Sequence, residues 1–109
     1  MTSLLQKKCV PGEGGTLPLF KQKVDELLQQ VSGWSVSTDG EKISKNFKFK
    51  NFKEALAFAN KIGDIAEAQG HHPDMFVGWG KVGVVLTTHA IGGLSENDFI
   101  LAAKIDVIA

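Results

Sequence analysis

The apolar residues of this chain switch repeatedly between the spacing of a helix face and the two-residue period of a strand, and this order limits the available folds. The first helical segment precedes Gly33 and repeats apolar residues on one face: Phe20, Val24, Leu27, Leu28 and Val31. Residues 34–37 and 42–50 then flank Asp39-Gly40, a dipeptide suited to the positive φ angles of a tight turn. The sequence predicts a helix followed by a β-hairpin.

The same pattern recurs in the second half of the chain. A helix is predicted over residues 51–69, with Asn51 as its N-cap and Gly70 as its terminator. Its apolar face repeats at helical spacing: Phe52, Leu56, Ala59, Ile62 and Ala66. Residues 75–79 and 82–88 are predicted as strands joined by a turn around Gly80-Lys81, which gives a second hairpin.

A third helix is predicted from Ser95 to the C-terminus, because Ser95 and Asp98 are spaced as a capping box before an apolar run. Its apolar residues occupy more than one face, so we expect part of it to be buried against a second subunit. The order α-β-β-α-β-β-α indicates an α+β two-layer sandwich, in which three helices cover one face of a four-stranded antiparallel sheet. Pairing of the sheet edges would give a homodimer or homotetramer.

Alternation within the predicted strands assigns their faces. Lys45 interrupts an otherwise apolar row, which suggests a position near a sheet edge. In the last strand the Val82 row is expected to face the helices, whereas the Gly83 row leaves room for a flat ligand beside His89, at the strand end. Core positions are expected for both tryptophans, Trp34 and Trp79.

A chain of 109 residues is expected to form one domain, here residues 16–109 after a flexible N-terminal arm over residues 1–15. The arm ends in Pro11-Gly12-Glu13-Gly14-Gly15, a composition typical of a loop. Twelve basic residues balance twelve acidic ones, which argues against direct binding of nucleic acid. Cys9 is the only cysteine, so no intrachain disulfide can form.

The sequence carries no sign of secretion or of a membrane span. Residues 1–8 lack the apolar core of a signal peptide, and the longest apolar runs are far shorter than the ~20 residues that cross a bilayer. We therefore expect a cytoplasmic protein without membrane association. The alternative is an organelle reached by a transit peptide that was removed before Met1.

The histidines of the chain fall in one stretch bounded by two carboxylates: His71, His72 and His89 between Glu67 and Asp98. Histidine both gives and accepts a proton near neutrality, because its unperturbed pKa is about 6.5. His71 and His72 occupy a connection after a helix, and Pro73 biases His72 toward an extended backbone. We therefore expect the two adjacent rings to have different neighbours and different roles.

Each of these residues also has a plain structural reading, and the histidines together have a metal reading. Zinc would need three nitrogens converging at about 2 Å, but the sequence has no H-x3-H helix pair and no nearby cysteine ligand. Glu67 could orient an imidazole or be a solvated helix carboxylate. Asp98 could hold a histidine, yet its place in a first helical turn favours a capping role. Nucleophilic catalysis by Cys9 is not expected.

The arrangement resembles the pterin-4a-carbinolamine dehydratases over about residues 16–107. The family's signature is matched in residue type and in spacing by Glu67, three residues, His71-His72-Pro73, five residues, Trp79, nine residues, His89, eight residues and Asp98. The neighbouring segments 86–89 and 92–95 are similar as well. The resemblance implies a 4a-hydroxytetrahydrobiopterin dehydratase, a hydro-lyase of pterin cofactor recycling that needs neither a metal nor an organic cofactor.

The resemblance also implies the residues of the site. The catalytic residues would be His71, His72 and His89, with Glu67 and Asp98 in support. The pterin would be bound by His71, His72, Pro73, Thr88, His89, Ala90 and Ile91. We expect His71 and His89 to exchange the roles of acid and base, while His72 positions the pterin and assists.

A second class of function stays open beside catalysis. Animal members of the family also act as dimerisation cofactors of a homeodomain transcription factor. By that resemblance the chain could be a non-catalytic binding or dimerisation module that acts as a transcriptional coactivator partner. The complete set of proton-transfer residues favours catalysis.

Overall fold

Two β-hairpins join into one antiparallel sheet in a computed structural model, which describes residues 3–10 and 17–109. The strands are β1 (Ser35–Val36), β2 (Ile43–Lys48), β3 (Asp74–Gly78) and β4 (Lys81–Leu86). Their order in the sheet is β1-β2-β4-β3, so the hairpins meet through β2 and β4 and leave β1 and β3 as edges.

Three helices complete the fold: α1 (Lys21–Leu28), α2 (Phe52–Gln69) and α3 (Glu96–Ile108). The predicted α+β sandwich of order α-β-β-α-β-β-α is confirmed. Both predicted ends of α2 are also confirmed, since the Asn51 side chain accepts a hydrogen bond from the Glu54 N–H at 2.9 Å and Gly70 is left-handed with φ 68°. Helix α1 ends at Leu28, earlier than the end predicted just before Gly33, although Val31 still packs against the core.

The core lies between the helices and one face of the sheet. Val82, Val84 and Leu86 of β4 are all fully buried, whereas Gly83 and Val85 of the other row are only half-buried. The predicted orientation of the Val82 row is therefore confirmed. Burial of each such aliphatic side chain contributes about 1.5–3 kcal/mol, which makes this row a main source of stability.

The first hairpin turn is fixed by Asp39. The Ser37 hydroxyl donates to Asp39 Oδ1 at 2.6 Å, the Glu41 N–H donates to the same oxygen at 2.9 Å, and Gly40 takes a φ of 74°. These donors, the Ser37 hydroxyl first, lower the pKa of the Asp39 carboxyl. The predicted tight turn is present, but its strands are shorter than predicted.

The most apolar stretch of α3 is buried by this chain itself, and burial of another part of the helix against a second subunit stays a prediction. The four residues 99–102 are all buried within this chain. α3 contacts α1, α2 and a 3-10 turn at Leu4–Gln6, so the chain itself covers more than one of its faces. An apolar pattern around a helix indicates burial on several sides without saying which chain provides the cover.

The two tryptophans lie in opposite environments. Trp34 is buried as predicted, but Trp79 is 76% exposed, so its predicted core position is wrong. The physical reason is that β3 ends at Gly78, which leaves Trp79 in the turn with Gly80. The turn lies one residue earlier than the predicted Gly80-Lys81.

Lys45 lies on β2, in the interior of the sheet opposite Val84, and not near an edge as predicted. Its ammonium donates to Asp106 Oδ1 at 2.8 Å and to the Ser32 carbonyl at 2.5 Å. The Trp34 indole N–H also lies 3.1 Å from both oxygens of Asp106. Asp106 of α3 thus provides a charged hydrogen-bond partner for a lysine that lies within an apolar row of the sheet.

Part of the predicted flexible arm lies against the body of the protein. Leu4 and Cys9 are buried in the main core cluster, and the Lys104 ammonium donates to the Leu5 carbonyl at 2.9 Å. The segment Pro11-Gly12-Glu13-Gly14-Gly15 falls outside the described residues, and the flexibility of the arm stays a prediction. Across residues 3–10 and 17–109, no helix is long and apolar enough to cross a membrane.

Replacement of Asp106 by alanine should lower the free energy of unfolding by about 1–3 kcal/mol, because it leaves the Lys45 ammonium and the Trp34 indole N–H without this acceptor. Urea unfolding followed by circular dichroism measures the change. Asp64→Ala, at an exposed position of α2, is the matched control. Equal stabilities of the two variants would contradict the assigned role of Asp106.

Candidate active site

The C-terminal end of α2 positions the first two histidines. Gly70 ends the helix in the left-handed conformation, and both its N–H and that of His71 point back to the Ala66 carbonyl, at 2.9 and 3.3 Å. Residues 71–73 then connect α2 to β3. As the extended backbone before Pro73 predicts, the rings of His71 and His72 have different neighbours.

His71 is held by a buried carboxylate on α3. Its Nε2 lies 2.6 Å from Oδ1 of Asp98, which is fully buried in the first turn of that helix. The second oxygen, Oδ2, accepts from the Ser95 N–H at 3.0 Å and from the Thr88 hydroxyl at 2.8 Å. Asp98 therefore caps α3, as the capping box predicts, and also contacts a histidine.

The hydrogen-bond network assigns the protons around Asp98. Thr88 donates its hydroxyl proton to Asp98, so Ser95, whose Oγ lies 2.7 Å from Thr88 Oγ1, must donate to Thr88. When Asp98 is ionised it can only accept, and its bond to His71 then requires a proton on His71 Nε2. In the neutral ring this leaves Nδ1 as the nitrogen that can take up a proton.

His72 forms a second imidazole–carboxylate pair. Its Nε2 lies 2.5 Å from Oε2 of Glu67, and the two side chains are 59% and 78% exposed. The structure thus pairs Glu67 with His72, whereas Asp98 holds His71. Solvent screens the outer pair, so its interaction is weaker than the geometry alone suggests.

The third histidine, His89, lies in the segment that follows β4. It begins a 3-10 turn, His89–Ile91, beyond the end of β4 at Leu86, rather than at the strand end as predicted. His89 lines a cavity of about 170 Å³ together with Glu41, Lys42, Thr87 and Gly92. In the described part of the chain, no hydrogen bond joins His89 to His71 or His72.

The remaining predicted pterin contacts lie in two segments, the connection after α2 and the turn after β4. Pro73 is half-buried beside His72, whereas Ala90 is exposed and Ile91 half-buried in the 3-10 turn. Thr88 is buried and fixes the start of that turn, since its N–H donates to the Gly93 carbonyl at 2.9 Å. Thr88 and His71 both form a hydrogen bond with Asp98, which places the two residues near each other.

The sequence identifies one member of the network, Ser95, only as a helix cap. Ser95 is 3% exposed and connects Thr88 to the first turn of α3 through its hydroxyl. The capping box also fixes the position of its carboxylate, and a fixed carboxylate is a rigid partner for a histidine. The motif therefore contained a signal for a role of Ser95 beyond the helix cap.

The alternative of a zinc site finds no support in the arrangement of the side chains. No group of three or more His, Cys, Asp or Glu residues within the described ranges is placed to hold a metal ion. The nearest approach to such a group is two separate histidine–carboxylate pairs. The predicted independence from a metal stays a prediction about the reaction.

Comparison with known proteins identifies the family. The family model described as pterin 4 alpha carbinolamine dehydratase matches residues 17–108. The chain belongs to this family. Provisionally named pterin-4-alpha-carbinolamine dehydratases from Halorhodospira halophila and Rickettsia canadensis are 49% and 51% identical to it, and each alignment covers 97% of both chains.

Solved structures agree with the fold. A transcriptional coactivator/pterin dehydratase from Brucella melitensis is 35% identical, with a TM-score of 0.80 over 84% of this chain and 98% of that one. A pterin dehydratase-like protein that is a RuBisCO assembly factor in the alpha-carboxysome is 23% identical, with a TM-score of 0.61 over 71% of this dehydratase-family chain and 89% of its own. The second similarity shows the fold alone.

Replacement of Asp98 by asparagine should move the imidazole proton of His71 from Nε2 to Nδ1. The Ser95 N–H can only donate, so the amide oxygen must stay on that side and the amide NH₂ must face His71. Nitrogen-15 NMR of the histidine rings distinguishes the two tautomers. Glu67→Gln is the control, since it alters the partner of His72 alone; an unchanged His71 tautomer in Asp98→Asn would refute the network.

Proposed function

We propose that this protein catalyses the dehydration of 4a-hydroxytetrahydropterin, such as 4a-hydroxytetrahydrobiopterin, to quinonoid dihydropterin and water. The activity is that of a hydro-lyase in pterin cofactor recycling. The observation that carries the proposal is the contact between His71 and the buried Asp98, because it gives one signature histidine a fixed orientation and tautomer. Membership of the family supports the substrate class.

The reaction needs two proton transfers, and histidines can perform both. Hydroxide is a poor leaving group, so the oxygen on C4a must receive a proton before it departs as water. The adjacent ring nitrogen loses a proton as the C=N bond forms. General acid and base groups with pKa values near the working pH contribute about 10²- to 10⁴-fold to such steps.

We assign the base to His71 and the acid to His89. The Asp98 contact leaves His71 Nδ1 to accept the proton from the ring nitrogen. His89 is exposed beside a cavity, and we assign it to protonate the leaving oxygen of a bound pterin. His72, paired with Glu67, would position the pterin and assist, and the turn over residues 88–91 would contact its ring together with Pro73.

The cavity beside His89 is small for this substrate. Its volume of about 170 Å³ is below the ~300 Å³ that small-molecule pockets usually reach. A bound pterin would therefore extend over neighbouring surface, toward the residues that we assign to its binding. Catalysis needs only the reacting edge of the ring to meet the histidines.

Alanine substitution of His71 or His89 should lower kcat by about 10²- to 10⁴-fold while leaving the fold intact. Stopped-flow absorbance with freshly generated carbinolamine measures the rate, and circular dichroism checks the fold. Asn46→Ala, at an exposed position of β2, is the control. Full turnover in both histidine variants would refute the mechanism, and loss of the wild-type rate on addition of a chelator would show that the reaction depends on a metal.

One observation favours a second candidate function. The related protein from Brucella melitensis is described as both a transcriptional coactivator and a pterin dehydratase. A non-catalytic binding or dimerisation module would need none of the proton-transfer residues. If the wild-type protein did not accelerate dehydration in the same assay, the binding role alone would remain.

A homodimer or homotetramer is proposed on the evidence of the sheet edge. β3 is an edge strand, and the side chains of Phe76 and Trp79 in and beside it are 63% and 76% exposed. Exposed apolar side chains on an open edge favour association of sheets. Sedimentation velocity at micromolar concentration should therefore give the mass of two or four copies, and a monomer at all concentrations would contradict the proposal.

A further inference from the structure

The N-terminal segment, here residues 7–10, contacts both the end of α2 and the start of α3; we call the place where these two helix ends meet the joint. Gln69 is the last residue of α2, and its side-chain oxygen accepts the Cys9 N–H at 2.9 Å. Lys7 reaches α3 from the same segment, with its ammonium 3.1 Å from Glu96 Oε1. The segment thus contacts both helices near the points where they meet the histidine site.

The strongest of these contacts is made by Asn97. Its Oδ1 accepts the Val10 N–H at 2.8 Å, and its Nδ2 donates to the Val10 carbonyl at 2.9 Å. The side-chain amide therefore pairs with the backbone of Val10 as a neighbouring peptide group would in a sheet. Asn97 is 4% exposed, so its side-chain amide is satisfied by Val10 rather than by water.

The same joint carries the contact between His71 and Asp98. Gln69 precedes His71 by two residues, and Asn97 directly precedes Asp98. The His71–Asp98 hydrogen bond and the bonds from residues 9–10 therefore tie the same two elements together. A shift of α2 relative to α3 would stretch all of these bonds at once.

We propose that Gln69 and Asn97 are positioning residues for the reaction, acting through residues 9 and 10 of the arm. They hold the end of α2 against the first turn of α3 and thereby keep His71 Nε2 at hydrogen-bond distance from Asp98. Displacement of a catalytic group by about 1 Å can lower the rate about 10²-fold. Hydrogen bonds that limit the displacement of His71 are therefore expected to affect the rate. The catalytic part of this inference rests on the proposed dehydratase function.

The test combines a spectroscopic and a kinetic measurement on the full chain. In Asn97→Ala, the proton on His71 Nε2 should exchange with water faster in the substrate-free protein, as seen by proton NMR of the histidine rings. The kcat for dehydration should fall about tenfold at nearly constant KM. In a His71→Ala background the same substitution should have little further effect on kcat, because its effect passes through that ring.

Glu96→Ala is the matched control, since it removes a half-exposed ion pair between the same segment and the same helical turn. It should change neither the NMR signal nor kcat. If Asn97→Ala does not fold, as judged by circular dichroism, Gln69→Ala is used in its place, because Gln69 is only half-buried.

An unchanged His71 signal, an unchanged kcat, or an equal loss of kcat in the His71→Ala background would overturn the proposal. The NMR measurement needs no substrate. If the wild-type protein fails to dehydrate the carbinolamine, the proposed function fails, and the exchange of the His71 proton still decides whether Asn97 holds the joint.

Discussion

The buried carboxylate of Asp98 is the interaction on which the rest of the site depends. An ionised group away from water is costly unless hydrogen bonds replace its hydration. Asp98 receives them from His71, from Thr88 after β4 and from Ser95 at the start of α3. One carboxylate therefore caps a helix through one oxygen and orients a histidine through the other.

The adjacent histidines show how local backbone divides similar side chains between different environments. His71 turns toward the interior, where its partner is fully buried, and His72 turns toward Glu67 at the surface. A rigid partner in a low-dielectric setting fixes geometry, whereas a solvated pair can adjust. This contrast is the physical basis for separating a proton-transfer role from a role in positioning the pterin.

The sequence predicted the helices and hairpins because their apolar periods, caps and turn residues are local. It failed for Lys45 because a distant residue, Asp106 of α3, satisfies the ammonium. It failed for Trp79 because β3 ends at Gly78 and the turn begins one residue earlier than predicted. Signature spacing identified the candidate histidines and carboxylates. It could not assign Asp98 to His71 or Asn97 to Val10, since those partners are far apart in the chain.

The two tryptophans lie in opposite environments, so their fluorescence should report on different parts of the chain. Trp34 is 5% exposed and bonded to Asp106, so its fluorescence follows the integrity of the core. Trp79 is 76% exposed in the turn between β3 and β4, so its fluorescence follows whatever covers that edge of the sheet. Emission at short wavelengths therefore comes mainly from the folded interior, and emission at long wavelengths from the exposed turn between β3 and β4.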